Sequence, residues 1–396
     1  MPAPRAAAFP RSLKDLLTNS RFLQNLCAYG FAAGDLSEEA GPFLHALRAE
    51  ILDLHAQPDR LQPNWSRFVQ PSGQTTALQK AGIFEQNLPL GNAADAGAVT
   101  STTVALDELW GMRSFVTETI NMVTSETSTA TSTTTNINGA VFPQLLEPSI
   151  KIQVNQGEGA CFPCHYDSDA KVDDRCVTMI FYLNPEWLRP AHSMENAADR
   201  GGHLVCFPLP FRPVSFAPAA GRVVAFSSRN MLHRTLPCSS TDPRCCLTLW
   251  FPEDKTASAT ASAETAATVF SPTDFEDFYG ATETEAKALA VLMEPEARVH
   301  FARLVLSGEW IQSLRDSHDD VAIDADTMAL VSDDGVSKYV ESMVGDLHAI
   351  EAALVDRVQS RLGDASWSAN DLRMLASKLP LKPEGHEAGK GGAWWL

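Results

Sequence analysis

The sequence predicts an α+β protein, with a β-sandwich or barrel in the middle of the chain and helices on either side. Three observations predict it. Between Ser149 and Phe251, short β-rich runs alternate with turn signals, the pattern of sandwiches and barrels. Before them, Phe43, Leu44, Leu47, Ile51 and Leu54 recur at the spacing of one helix face. After Phe251 the strand pattern stops, and an Ala/Thr/Ser tract leads into long helical, acid-rich segments.

Taken in order, the first residues read as a tail leading into a first helix. Arg5, Arg11, Lys14 and Arg21 against the single acid Asp15 also give the first 34 residues a weak likeness to a mitochondrial presequence. At Leu36-Ser37-Glu38-Glu39, Ser37 reads as an N-cap with acids in the first turn, and Pro58 ends the helix that follows. A second helix is expected around Leu106 to Val123. The Thr-, Ser-, Ala- and Asn-rich tract from Thr124 to Asn138 then reads as a loop or flap.

From Ser149 the character changes. Ile150-Lys151-Ile152-Gln153-Val154 alternates as a half-buried strand does. Further strands are expected at Arg175 to Leu183, His203 to Phe207, Arg222 to Phe226 and Arg244 to Phe251. Turns fall at Gly157/Gly159, Gly201-Gly202 and Pro218 to Gly221. Residues 254 to 268 read as a linker. Glu283 to Leu306, interrupted by Pro295, and Val336 to Leu362 read as helices. The acid-rich stretch Asp316 to Asp334 lacks the spacing of an EF-hand loop and reads as a solvated acidic surface.

The net charge of −18 argues against a nucleic-acid partner, which would require clustered Lys and Arg. It fits solubility and a cationic substrate. No apolar run is long enough to span a membrane. Eight Cys, seven of them between residues 161 and 246, are too few for a disulfide scaffold, so a reducing, cytoplasmic setting is the simplest expectation.

The chemistry is concentrated in Cys161-Phe162-Pro163-Cys164-His165-Tyr166-Asp167. On an extended segment His165 and Asp167 point to the same face. The apolar run ending on His233 supplies a second imidazole. Two His and one carboxylate with open positions beside them form the facial triad of non-haem Fe(II) oxygenases. Arg244, opening a strand soon after His233, suits a dicarboxylate co-substrate, because a guanidinium makes two parallel bonds to one carboxylate. Tyr182 is placed to donate its hydroxyl to the same carboxylate.

Cys161-x-x-Cys164-His165 is also the letter pattern of c-type haem attachment, but haem would leave Asp167, His233 and Arg244 without a purpose. No second C-x-x-C supports a structural zinc site. The two thiols read as packing beside the metal strand.

These residues carry a resemblance. Residues 150 to 252 resemble the catalytic core of the prolyl 4-hydroxylase branch of the 2-oxoglutarate and Fe(II)-dependent dioxygenases, and within it the hypoxia-inducible-factor prolyl hydroxylases. The matching residues are the H-x-D pair, Arg175-Cys176-Val177-Thr178, Tyr182-Leu183-Asn184, Trp187, Gly201-Gly202-His203-Leu204, His233, Arg244 and Trp250. Tyr29-Gly30-Phe31 resembles the family's leading segment more loosely. The resemblance implies a double-stranded β-helix (jelly-roll) core with supporting N-terminal helices. It implies His165, Asp167 and His233 as metal ligands, and Arg244 with Tyr182 as the 2-oxoglutarate anchor. Fe(II), 2-oxoglutarate, O2 and ascorbate would serve as cofactors and co-substrates. The implied reaction hydroxylates an unactivated C–H bond, of a prolyl residue by branch, and releases succinate and CO2. Where the family has a Tyr before the H-x-D turn, this chain has Asn155 or Gln156, either amide able to bond the co-substrate.

The expected organisation is a tail (1–19), a catalytic domain (20–254), a linker (255–268) and a helical acidic region (269–396) dispensable for chemistry. The expected partner is a peptidyl or small-molecule substrate, with neither nucleic acid nor membrane; the sequence leaves the oligomeric state open. The competing class is a binding or scaffolding protein that acts through its C-terminal helices.

Overall fold

The computed structural model describes residues 8–70, 72–90, 103–129, 142–157, 159–169, 171–188, 200–239, 241–258 and 270–380. The segment expected as a tail is helical from Ala8. Helix α1 (Ala8–Thr18) places Phe9, Leu13 and Leu17 on one buried face, and the Phe9 ring lies 4.9 Å from Phe43 and 6.0 Å from Phe181. Helix α2 (Ser20–Tyr29) is capped by the Asn19 side chain and ends on Gly30 in the left-handed region. It leads into β1 (Phe31–Asp35). Ser37 does not cap the next helix through its side chain. It precedes a single 3-10 turn, Glu38–Ala40, and α3 (Gly41–His55) begins beyond it with all five expected apolar positions buried.

A hairpin that the sequence reading leaves unmarked follows: β2 (Gln62–Val69) and β3 (Thr75–Asn87). Neither strand alternates cleanly between buried and exposed positions, so the period-2 signal is absent. Gly82, at φ +65°, passes so close to Gln156 that a Cβ would lie 2.2 Å from its carbonyl oxygen. The expected second helix is two, α4 (Val104–Gly111) and α5 (Arg113–Thr129). The latter runs six residues into the tract expected as a loop, Thr124 to Thr129. Thr124 is tolerated there because its hydroxyl bonds back to the Ile120 carbonyl. Residues 130–138 of that tract lie outside the described residues.

The central strands are β4 (Ser149–Asn155), β5 (Phe162–His165), β6 (Arg175–Tyr182), β7 (Leu204–Phe207), β8 (Val214–Phe216), β9 (Arg222–Ser227), β10 (Leu232–Thr235) and β11 (Arg244–Pro252), of which the sequence marks β4, β6, β7, β9 and β11. Beyond them come α6 (Lys255–Ser258), inside the expected linker, then α7 (Pro272–Tyr279), α8 (Glu283–Leu292), α9 (Pro295–Val305) and α10 (Ser307–Ser317). Pro295 opens α9 at its first turn, where a missing N–H costs nothing. The acid-rich stretch folds as a hairpin, β12 (His318–Asp324) and β13 (Leu330–Ser332), before α11 (Gly335–Leu362) and α12 (Ala369–Ser377). No described helix is long and apolar enough to cross a membrane.

Two antiparallel sheets face each other. The larger runs β1-β9-β6-β11-β4-β3-β12-β13, with β2 also paired to β3; the smaller runs β5-β10-β7-β8. The four strands β9-β6-β11-β4 opposite the smaller sheet make the jelly-roll core. Alternation sorts the larger sheet's two faces. Cys245, Leu247, Leu249 and Phe251 of β11 join the core under α1 to α5. Their neighbours Arg244, Cys246, Thr248 and Trp250 line the space between the sheets.

The outer face of the smaller sheet is equally buried, and the C-terminal region covers it. Val205, Phe207, Leu209 and Leu232 share one apolar cluster with Leu289, Phe301, Val358 and Leu372. The Cys164 N–H donates to Ser313 Oγ (2.9 Å), and β12 extends the larger sheet through β3. Arg234 of β10, almost wholly buried, donates to Glu309 (2.6 Å) and Asp316 (3.1 Å) of α10. The region expected to be separable is therefore built into the catalytic core.

A chain ending near Ala261 is accordingly expected to be insoluble or to melt far below the full chain. It exposes the apolar face of β7 and β10 that Leu289, Phe301, Val358 and Leu372 cover in the full chain. Expression of the truncated chain and its melting curve by circular dichroism check this; a soluble core with an unchanged melting point would show the helices to be accessory.

Candidate metal centre

Strands β5 and β10 pair so that His165 and His233 lie directly opposite each other, with ring centroids 4.3 Å apart. Asp167 follows two residues beyond His165, and its Oδ1 lies 3.3 Å from His165 Nε2 and 3.7 Å from His233 Nε2. One ligand atom from each of the three lies within 4.8 Å of the others. Both imidazoles are held in one tautomer. His165 Nδ1 donates to the Pro163 carbonyl (2.8 Å) and His233 Nδ1 to that of Met231 (3.0 Å), which leaves each Nε2 lone pair aimed inward.

The larger sheet fixes the carboxylate. Asp167 Oδ2 accepts from Thr178 Oγ1 of β6 (2.7 Å) and Trp250 Nε1 of β11 (3.2 Å), leaving Oδ1 for a metal. Thr178 and Trp250 are themselves register partners across β6 and β11. Burial opposes the charge on Asp167, but His233, His165 and the Thr178 hydroxyl together hold its acid well below the usual carboxylate range. Burial, aided by His165 and opposed by Asp167, pulls His233 down to about 4. Asp167 is thus a carboxylate and His233 a neutral imidazole at neutral pH, the forms that bind a metal. Its chemistry fits ferrous iron: two nitrogens and one oxygen on one side, with the opposite side open to the cavity.

The triad lines a cavity of about 530 Å³. Arg244, placed by the sequence as a co-substrate anchor, reaches its wall although the residue is 1% exposed. Its Nε donates to the Gly202 carbonyl (2.8 Å) and its Nη1 to Cys246 Sγ (3.7 Å). No carboxylate among the described residues pairs with it. Gly202 is required here: its φ is +69°, and a Cβ would lie 3.0 Å from Arg244 Cδ. Tyr182 is fully buried beside Arg244, with the guanidinium carbon 5.1 Å from its ring centroid, and its hydroxyl has no hydrogen-bond partner. The structure distinguishes the two amides at the family's Tyr position. Asn155 is the register partner of Arg244 and its Nδ2 is buried without a partner, whereas Gln156 bonds His55. Cys161 and Cys164 are pushed up to about 12, chiefly by burial, and stay thiols rather than metal-binding thiolates.

Sequence reasoning missed three parts of the site. Thr178 was seen only as a residue of a matching strand. Asn64, Trp65, Ser66 and Lys80 from the unmarked hairpin form one cavity wall. Trp310, Leu314 and Tyr339 of the C-terminal region form another. No local signal announces these positions, because only the packing of distant segments brings them to the cavity.

Residues 150–252 match the model of a family described as the 2OG-Fe(II) oxygenase superfamily. Among solved structures the chain is similar to a prolyl 4-hydroxylase from Phytophthora capsici, with 22% identity, a TM-score of 0.53 and coverage of 95% of this chain and 97% of that one. It is also similar to a prolyl-4-hydroxylase from Pseudomonas putida, with 21% identity, a TM-score of 0.41 and coverage of 59% and 98%. A third is a Trichoplax adhaerens prolyl hydroxylase in complex with a hypoxia-inducible-factor oxygen degradation domain peptide fragment, with 18% identity, a TM-score of 0.40 and coverage of 66% and 98%. Among curated proteins none matches. The central strands thus resemble the core of the 2OG-Fe(II) oxygenases, and the fold is the one seen in the Phytophthora capsici prolyl 4-hydroxylase.

The geometry sets two expectations for metal binding, both measurable by titrating the full chain with Zn2+ in a calorimeter. Thr178→Val, which keeps the side-chain shape but removes one of the two donors to Asp167 Oδ2, weakens binding roughly ten-fold, and His233→Ala abolishes it. With His233 held neutral down to about 4, protons compete for that ligand only near and below pH 5, whereas a free imidazole takes up its proton near pH ~6.5.

Proposed function

We propose that the protein uses Fe(II), O2 and 2-oxoglutarate to hydroxylate an unactivated C–H bond, that of a prolyl residue in a peptide, with release of succinate and CO2. The observation that carries this reading is the His165–Asp167–His233 trio sharing one cavity with a buried, unmatched guanidinium. Ferrous iron at the trio supplies the redox chemistry that couples decarboxylation of the 2-oxo acid to oxidation of the substrate.

The remaining roles belong to the chain's own side chains. Arg244, held by the Gly202 carbonyl and desolvated on all sides, binds the distal carboxylate of 2-oxoglutarate and so fixes the length and direction of that molecule. The Tyr182 hydroxyl donates to the same group, and the Asn155 amide supplies a further N–H beside it. Each is a buried donor without a partner, a cost that an arriving oxyanion removes. Thr178 and Trp250 hold Asp167 in its ionised form and in the ligating orientation. Phe162, Ile180 and Leu204 line the cavity with apolar surface and limit water. Ascorbate as a reductant belongs to the same reading. A peptide bound to a hydroxylase of this fold in the Trichoplax adhaerens complex supports a peptidyl substrate here.

Succinate release from 2-oxoglutarate, with iron and ascorbate present, is the direct test. Arg244→Ala is expected to raise the 2-oxoglutarate requirement roughly 100-fold or more, since removing one partner of a buried charge pair costs about 3–5 kcal/mol. Arg244→Lys keeps the charge but not the two-bond geometry and recovers part of the loss. Tyr182→Phe costs one hydrogen bond, roughly 0.5–1.5 kcal/mol. An unchanged 2-oxoglutarate dependence in Arg244→Ala would falsify the anchor.

A further inference from the structure

The cavity extends beyond the His165–Asp167–His233 trio and Arg244: residues of β2, β3, α10 and α11 line a further arm of it. Lys80 stands on β3 in this arm, on the same strand face as Leu78, which packs against Val336 of α11. It is 8% exposed. Its ammonium donates to Asn64 Oδ1 and lies 5.2 Å from the Phe162 ring centroid, itself 6.0 Å from the ring of His165.

No carboxylate among the described residues pairs with Lys80. The neighbouring charges are already matched: Glu85 with Lys151 (2.7 Å) and Arg175 with Asp173 (2.5 Å). Burial pulls Lys80 down to about 8, with Glu85 opposing and Lys151 adding to the shift, so it remains mainly a cation at neutral pH. A buried charge without a counter-charge is costly and is relieved by a ligand that supplies one. Because Lys80 holds the Asn64 oxygen, the amide N–H groups are what Asn64 has left to offer. Trp65, Trp310 and Leu314 give the arm apolar walls for the body of a ligand.

We propose that this arm is a carboxylate subsite: Lys80, with Asn64, binds a carboxylate carried by the molecule whose C–H bond is oxidised. The inference deepens the function proposed above and rests on it. The carboxylate can be the α-carboxylate of a free amino acid, the C-terminus of a peptide or an acidic side chain beside the target residue.

Three matched pairs separate these sources: L-proline against L-prolinamide, a blocked prolyl peptide ending in a free acid against its C-terminal amide, and a prolyl peptide carrying Glu against the same peptide with Gln. Binding to the full chain with Zn2+ and 2-oxoglutarate bound is read from tryptophan fluorescence, Trp65 and Trp310 being in the arm. The acid of at least one pair is expected to bind roughly ten-fold or more tightly than its neutral partner, the worth of a hydrogen bond to a charged group. Lys80→Met removes that preference and Lys80→Arg retains it. If Lys80→Met does not fold, Asn64→Asp decides in its place, because a carboxylate of the same shape beside Lys80 neutralises it. Equal binding within all three pairs, or a preference that survives in the deciding variant, overturns the proposal. Failure of 2-oxoglutarate itself to bind the wild-type chain would instead count against the oxygenase reading.

Discussion

The ion pairs from Arg234 to Glu309 and Asp316 show what the whole structure depends on. In a strand, neighbouring residues face opposite ways. His233 therefore points into the space between the sheets, and Arg234, the next residue, points out of it. Outside a bare jelly roll that position would be in water. Here it is almost wholly buried under α10, and its charge is matched by two acids from that helix. The strand that presents His233 is therefore pinned from behind by residues more than seventy positions later. The Cys164 N–H to Ser313 bond does the same for β5, which presents the other histidine. Metal geometry and C-terminal packing are two faces of the same two strands.

The electrostatics of the cavity follow a similar economy. Its fixed charges cancel in pairs wherever two protein groups can meet, as Glu85 does with Lys151 and Arg175 with Asp173. The remaining ones are Asp167, Arg244 and Lys80. On the proposed function a metal ion accounts for the first, and the co-substrate's distal carboxylate for the second. The third lies near the aromatic ring that flanks the metal histidine. A low-dielectric site makes each such uncompensated charge a statement about its ligand, because burial without a partner is expensive.

Much of this was legible in the sequence. Alternation marked β4, β-rich runs between turn signals marked β6, β9 and β11, and the H-x-D pair with the later His and Arg marked the chemistry. The hairpin β2–β3 was not legible, because both of its faces are partly covered and hydrophobic periodicity is blurred. Nor was Ala8–Thr18, read as part of a tail, recognised as a helix, although Phe9, Leu13 and Leu17 carry the i, i+4, i+8 pattern that buries it. The integration of the C-terminal region left one trace. Leu204–Phe207 and Leu232–Thr235 are buried at every position, which a sheet with one solvated face does not allow. A continuous run such as Leu-Val-Cys-Phe asks for a second cover, and the apolar helical segments after residue 269 supply it.

The same distinction between local and global applies to charge. A net charge of −18 suggested a cationic substrate, yet the cavity's unmatched protein charges apart from the metal triad are both positive. The two observations do not conflict. Surface acids act through water and salt, and beyond about 8 Å their influence is screened at physiological ionic strength. Arg244 and Lys80 act inside the protein at contact distance, where little screening reaches. The surface sets solubility and the approach of large partners; the buried cations set what is held once it has entered. For a peptide the two combine: a basic or neutral chain is not repelled by the exterior, while a single carboxylate on it is selected within.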